Sequence, residues 1–459
     1  MDHAELQGIF TRDRERFLEE WKSFLRFRSI SADPAFAGEC RACAEWLRDH
    51  LRTFGLESSL LETNGKPVVF ARRNGRPGTP TIVFYGHYDV QPADPLDLWA
   101  SDPFEPTLRN GRLYARGAQD NKGQVMYFLK ALQTLLAAGA LDCGIRIFIE
   151  GEEESSSSAM TEGLARWREE LRGDVLLVCD TGTPKTGQPA ITMGLRGIVH
   201  LTATLSGLKK DLHSGVHGGI APNPATAMAR LVATLHRPDG RIAVEGYYDG
   251  VQEPSAEDRA LANVELLSAA EYEQLVGVVP SGGEEGYTFA ERRGFRPTIE
   301  VNGIHSGYDG PGSKTIIPAR AMVKITSRVV GGQDPERCLA LLSDHLRRHA
   351  PASLKLEITE ASVGGPALLL SSRAKSVALA RRVLEEITDQ PVLFLWEGAS
   401  IPIVAGMAKA AGAEPLLVGF GTEEDDIHAP NESFSLEQFR QGFLYAGLIL
   451  GALSREWSR

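Results

Sequence analysis

In Thr81-Ile82-Val83-Phe84-Tyr85-Gly86-His87-Tyr88-Asp89 a run of five strand-forming residues, Thr81–Tyr85, leads into a histidine and an aspartate. A nearly continuous apolar run suits a strand covered on both faces, as in an α/β sheet. Three more such runs follow: Ile145-Arg146-Ile147-Phe148-Ile149, Val175-Leu176-Leu177-Val178 and Pro415-Leu416-Leu417-Val418. Between the first two, Gln124–Leu132 reads as a helix, and upstream Cys43, Trp46, Leu47, His50, Leu51 and Phe54 fall at helical spacing ahead of Gly55. This alternation predicts a layered α/β domain.

The middle of the chain follows another rule. Val199, Leu201, Ala203 and Leu205 alternate with His200, Thr202, Thr204 and Ser206, the period of a half-buried strand. A helix over about 223–236 is opened by Asn223-Pro224. A long acid-rich stretch from about 239 to 296 reads as irregular. Strands near 298–302 and 321–330, a helix near 335–349 and a strand through Leu354, Leu356 and Ile358 complete a β-α-β-β-α-β order, that of a ferredoxin-like sandwich. The predicted organisation is an α/β domain from residues 1–189 and 365–459 with an inserted α+β domain at 190–364.

The chain has 459 residues, 49 Lys plus Arg against 60 Asp plus Glu, and a formal net charge of -11. Such a length suits two domains. The acid surplus argues against nucleic acid or an anionic membrane as partner. Five Cys at 40, 43, 143, 179 and 338 form a sparse, odd set that points to no disulfide framework and to a reducing compartment. The Cys40-Arg41-Ala42-Cys43 pair, inside an amphipathic helix, reads as packing. Met1-Asp2-His3-Ala4-Glu5 carries no basic segment leading into an apolar one, and no apolar run reaches the roughly 18 residues of a span, so a cytoplasmic location is expected.

Each apolar run is followed by groups able to bind a metal. His87 follows the first, Glu152, Glu153 and Glu154 the second, Asp180 the third, and His428 lies in the loop after the last. Asp120 precedes the Gln124–Leu132 helix, in Arg116-Gly117-Ala118-Gln119-Asp120-Asn121-Lys122-Gly123. Open α/β sheets place their sites outside the carboxyl ends of the strands, where these groups can converge. Histidine and carboxylate without cysteine suit zinc or a similar ion. Three adjacent carboxylates repel unless a cation offsets them, and Asp89 can orient the His87 imidazole from behind.

Taken in order, Gly86–Pro92, Arg116–Gly123, Glu150-Gly151-Glu152-Glu153-Glu154 and Asp211-Leu212-His213-Ser214-Gly215 carry a resemblance. From about Trp21 to the C-terminal helix the chain resembles the co-catalytic zinc metallopeptidase family of carnosinase, cytosolic non-specific dipeptidase, aminoacylase, carboxypeptidase G and succinyl-diaminopimelate desuccinylase. It is most similar to the dipeptidase branch, through Lys210–Gly219 and Lys314-Thr315-Ile316-Ile317-Pro318. The resemblance implies a ferredoxin-like lid and dimerisation domain, a homodimer, and two Zn2+ per chain (Mn2+ or Co2+ as substitutes) bridged by Asp120. His87 and Asp180 would complete one ion's ligands, and Glu154 and His428 the other's. It further implies Glu153 as general base and acid, Asp89 behind His87, a cis Asp120–Asn121 bond and His213 as oxyanion donor from the partner subunit. Arg328, with Thr315 and Ser400, would bind the terminal carboxylate of the substrate.

Two positions depart from the family pattern: Ser156 stands where Gly is usual, and Gln119 where Thr or Ser is common. The implied activity is hydrolysis of dipeptides, by a metal-activated bridging water with Glu153 as base. The alternative is an N-acyl-amino-acid deacylase of the acetylornithine or succinyl-diaminopimelate type on the same centre. A non-catalytic binding module is the reading from a different class; loss of Glu153 or a ligand would favour it, and every ligand position is filled.

Overall fold

The computed structural model describes residues 1–155, 157–263 and 268–457. They form two compact units. The first comprises Met1–Met193, Leu370–Leu395 and Ile403–Arg459; the second comprises Gly194–Leu369 with Trp396–Pro402.

In the first unit the sheet runs in the order Glu57–Leu61, Val68–Arg73, Gly144–Glu150, Thr81–His87, Val175–Val178, Glu414–Leu417, Ala190–Leu195. The four strands from Gly144–Glu150 to Glu414–Leu417 are mutually parallel, and the pairings outside them are antiparallel. Their buried runs explain the continuous apolar sequence, since helices cover both faces. The helix Lys122–Ala137 is buried along nearly its whole length. Phe128 stacks on Phe84 of the central strand with ring centroids 3.6 Å apart. Gly442, on Leu436–Glu456, lets that helix approach Tyr127, where a Cβ would lie 2.4 Å from the ring. The N-terminal helix His3–Leu25 adds Phe10, Phe17 and Trp21 against Phe439 and Phe443. Cys40 and Cys43 are buried on the helix Ala37–Arg52, as packing requires, and all five cysteines are free.

In the second unit a four-stranded antiparallel sheet has the order Thr298–Ser306, Arg320–Val329, Gly197–Ser206, Lys355–Gly365. With the helices Pro224–Ala233 and Pro335–His349 in their chain positions, this is the expected ferredoxin-like sandwich. Val199, Leu201, Ala203 and Leu205 pack with Met228, Leu231, Val323, Ile325, Leu342 and Leu346 in one core. Asn223 caps the first of these helices by accepting from the amides of Ala225 and Thr226.

The acid-rich stretch is less irregular than expected. It holds short helices at Ala256–Ala262, Ala269–Val276 and Phe289–Gly294. Ser268 with Glu271, and Thr288 with Glu291, close capping boxes, and the Ser255 side chain accepts from the amide of Asp258. The Ser/Thr-x-x-Glu pattern was therefore present in the sequence as a helix start. No helix among the described residues is long and apolar enough to cross a membrane.

Candidate metal centre

The parallel strands of the first unit end together, and the polar residues beyond them meet. His87 is the last residue of its strand, Asp180 lies two residues past Val175–Val178, and Glu154 lies four past Gly144–Glu150. Asp120 immediately precedes Asn121, the residue that begins the helix Lys122–Ala137. His428 sits in the loop after Glu414–Leu417 with a left-handed φ of 62°. The Asp120–Asn121 bond is cis.

Asp120 is the centre of the arrangement. Its Oδ1 lies 3.1 Å from His87 Nε2, and its Oδ2 lies 3.0 Å from His428 Nε2. His87 Nε2 is 3.7 Å from Asp180 Oδ1, and His428 Nε2 is 3.4 Å from Glu154 Oε2. Two clusters result, His87–Asp120–Asp180 and Asp120–Glu154–His428, each with its ligand atoms within 4.8 Å of one another. Bonds of about 2.0–2.2 Å to a tetrahedral ion place ligand atoms roughly 3.3 Å apart. The donor set and the splitting of one carboxylate between two imidazoles therefore fit a pair of divalent ions.

Electrostatics agree with that fit. Burial pushes the Glu153 carboxyl well above its ordinary range, and Asp180, Asp120 and Glu154 push it further while His87 opposes them. Burial and Asp120 likewise raise Glu154, and burial raises Asp180. Hydrogen bonds to Asp120 and Glu154 lift His428 to about 10. Crowded carboxylates that draw protons onto their neighbours are groups that a cation satisfies.

The surrounding contacts fix these side chains. His87 Nδ1 is 3.0 Å from the Asp89 main-chain oxygen and 3.4 Å from its Oδ1. The Asp89 carboxylate accepts from the amides of Glu153 and Glu154 at 3.2 and 3.1 Å, so it orients the imidazole and the acidic turn at once. Asn121 Nδ2 donates to Asp180 Oδ1 at 2.8 Å, and Gln91 Nε2 donates to Glu154 Oε2 at 2.8 Å. Of the three adjacent glutamates, Glu152 turns away and accepts from the amides of Lys66 and Ala159. Gln119 is buried with its Oε1 unpartnered. Ser156, the other departure from the family pattern, lies outside the described residues.

One residue that sequence reading passed over belongs here. Glu432 is fully buried; its Oε2 accepts from Arg116 Nη1 and the Gly117 amide, both at 2.8 Å. Its Oε1 accepts from the amides of Gln119 and Asp120 at 3.0 and 3.1 Å. Burial raises this carboxyl to about 7, with Arg116 opposing. Standing four residues after His428, Glu432 holds the backbone that presents Asp120, and only its place in Asn431-Glu432 after the histidine hinted at it.

The other predicted residues lie in the second unit. His213 is exposed, and its Nδ1 accepts from the Gly215 amide at 3.0 Å, capping the short helix Ser214–His217. Thr315 adjoins it through the Ser214 amide, which donates to the Thr315 oxygen at 2.9 Å. Arg328 Nη1 donates to Ser400 Oγ at 2.7 Å, bringing two of the predicted substrate contacts together.

Fold and site together describe a metal-dependent hydrolase with an inserted α+β unit. More particularly, the chain belongs to Peptidase family M20/M25/M40, whose model matches residues 83–450. It is 29% identical to the Cys-Gly metallodipeptidase dug1 of Schizosaccharomyces pombe over 96% of both chains. It is 26% identical to the Beta-Ala-His dipeptidase of Rattus norvegicus over 94% of this chain and 91% of that one. Among solved structures it resembles the M20 family metallo-carboxypeptidase Sso-CP2 from Sulfolobus solfataricus, with a TM-score of 0.84, 29% identity, and coverage of 95% of this chain and 99% of that chain. Human carnosine dipeptidase 1 gives a TM-score of 0.78 at 25% identity, with 98% of each chain covered.

Proposed function

We propose that this protein is a dinuclear zinc dipeptidase, with His87, Asp120 and Asp180 holding one ion and Asp120, Glu154 and His428 the other. The observation that carries this reading is the division of the two Asp120 oxygens between His87 and His428. When bound, such ions lower the pKa of water and polarise the amide carbonyl. Mn2+ or Co2+ in place of zinc is compatible with the same ligands.

The chain's own groups supply the rest. Glu153 takes the proton from the attacking water and delivers it to the amide nitrogen as the C–N bond breaks, base first and acid second. Asp89 holds His87 and the Glu153–Glu154 turn in place. Arg328, with Ser400 and Thr315, binds the substrate's terminal carboxylate. His213 donates to the oxyanion from the partner subunit of a homodimer joined through the inserted domain at 190–364, the remaining residues 1–189 and 365–459 forming the catalytic domain. The enzyme works in the cytoplasm on small peptides, with no nucleic acid or membrane partner. The Schizosaccharomyces pombe and Rattus norvegicus relatives, both dipeptidases by name, favour this over an N-acyl-amino-acid deacylase.

Elemental analysis with a substrate panel tests the reading. About two divalent ions per chain are expected, with cleavage of dipeptides well ahead of N-acetyl amino acids. One tight ion that survives Asp120→Ala, or faster turnover of the N-acetyl compounds, would overturn it. Mixing inactive His213→Ala with inactive Glu153→Gln chains should restore part of the activity after subunit exchange; demonstrated heterodimers without recovery would remove His213 from the partner's site.

A further inference from the structure

The second unit carries a group of arginines that form no ion pair among the described residues. Cross-strand pairing sets Arg328 opposite Ile198 and Thr326 opposite His200. Val199 and Leu201 face the core, so the period of two places Arg328 and His200 on the opposite face of the sheet. Arg196 lies immediately before the strand Gly197–Ser206. Its Nε donates to the Gly398 oxygen at 3.0 Å, and its own main-chain oxygen accepts from Ser400 Oγ, which in turn accepts from Arg328. Arg293 comes from the helix Phe289–Gly294. A methyl group on Gly398 would lie 2.8 Å from Arg196 Nη2 and 3.3 Å from Arg293 Cγ, so the two side chains flank this glycine.

Their donors are poorly matched. Each guanidinium offers five N–H groups. Among the described residues Arg196 and Arg328 each donate one hydrogen bond, to a neutral oxygen, and Arg293 lies over the Phe289 ring, 5.9 Å from its centroid, with its Nε buried and unpartnered. Burial and then Arg328, with Arg293 adding to it, lower Arg196 to about 10; Glu300 and Glu397 oppose this. Both act from a distance: neither glutamate forms an ion pair with Arg196 among the described residues. Arg328 is lowered by burial alone, with no carboxylate raising it again. Half-buried cations that face one another without a directly paired acid are costly until an anion joins them. In a chain with a net charge of -11 that shortage is local.

We propose that Arg196 and Arg293, beside Arg328, form a receptor for a second carboxylate, so that the preferred substrates are dipeptides ending in aspartate or glutamate. This rests on the dipeptidase reading, with Arg328 and Ser400 on the terminal carboxylate and Arg196 and Arg293 on the side-chain acid. Planar guanidinium groups bind carboxylates through paired N–H donors, and a neutral amide of the same shape cannot reproduce that charge.

The test compares Ala-Glu with Ala-Gln, which differ in charge and hardly in shape, using the zinc-loaded protein. kcat/KM should favour Ala-Glu at least tenfold, mainly through KM, and Arg196→Gln and Arg293→Gln should each bring the ratio toward one. Arg196→Lys should keep part of the preference, because the charge remains. Glutarate binding measured by calorimetry supplies a readout apart from turnover, and should weaken about tenfold in Arg196→Gln. A wild-type ratio near one, or a ratio and glutarate affinity unmoved by both variants, would overturn the assignment while leaving the dipeptidase reading intact. Cleavage of no dipeptide at all would instead remove the dipeptidase reading, and the substrate assignment with it.

Discussion

The two units gather opposite charge and treat it differently. In the first, carboxylates crowd around Asp120, yet the proposed metal ligands are held: Asp120 between two imidazoles, Asp180 by Asn121, Glu154 by Gln91. In the second, Arg196 and Arg328 donate to neutral oxygens, Arg293 lies over the Phe289 ring, and none of the three forms an ion pair among the described residues. A preorganised acidic cluster suits a resident cation, whose ligands must be in place before it binds. An under-satisfied basic cluster suits a visitor that brings its own acceptors and leaves again.

The sharpest way to break this contrast is to remove one acid that the first unit is not asked to spend on metal. Glu153→Gln keeps the shape but cannot accept a proton, so turnover should fall by about 10² or more while metal content persists. Near-normal activity, or loss of metal, would show that the roles of Glu153 and Glu154 are misassigned. Glu432→Gln comes next: an amide cannot accept from all four donors, so the Asp120 backbone loosens. Metal affinity, read by chelator competition, should drop about 10–100-fold. Affinity unchanged in a variant with a lowered melting temperature would make Glu432 a packing residue only.

The smallest expected effect lies far from both clusters. His50 is held neutral beside Lys130 and Glu20, with burial and then Lys130 lowering it to about 4 from 6.5. Its folded pKa is depressed, so its contribution is complete above about 6.5 and is lost as pH falls through about 4. Melting temperature should decline across that window, and His50→Gln, which keeps an acceptor for Lys130, should flatten this part of the decline. An unchanged slope would exclude His50 as its source.

Much of this was legible in the residues themselves. His87, Asp180 and His428 each follow an apolar run, and strands covered on both faces announce themselves by composition alone. The alternation at Val199–Leu205 likewise gave the half-buried sheet of the second unit. The capping boxes at Ser268 and Thr288 were equally legible and show that an acid-rich composition can mask helix starts.

By itself, then, the sequence determined which short segments are strands and helices and which ligand types stand at their ends, because periodicity and capping act within a few residues. Tertiary structure alone decided how those ends share a centre. Asp120 meets His428 across 308 positions, and Glu432 reaches the Asp120 amide across 312. It also decided that Trp396–Pro402 leaves the first unit's sequence neighbourhood to join the second, carrying Gly398 and Ser400 to Arg196 and Arg328. The physical reason is range: a hydrogen bond or ion pair between distant segments leaves no periodic trace in either one, and it exists only after the core has brought both together.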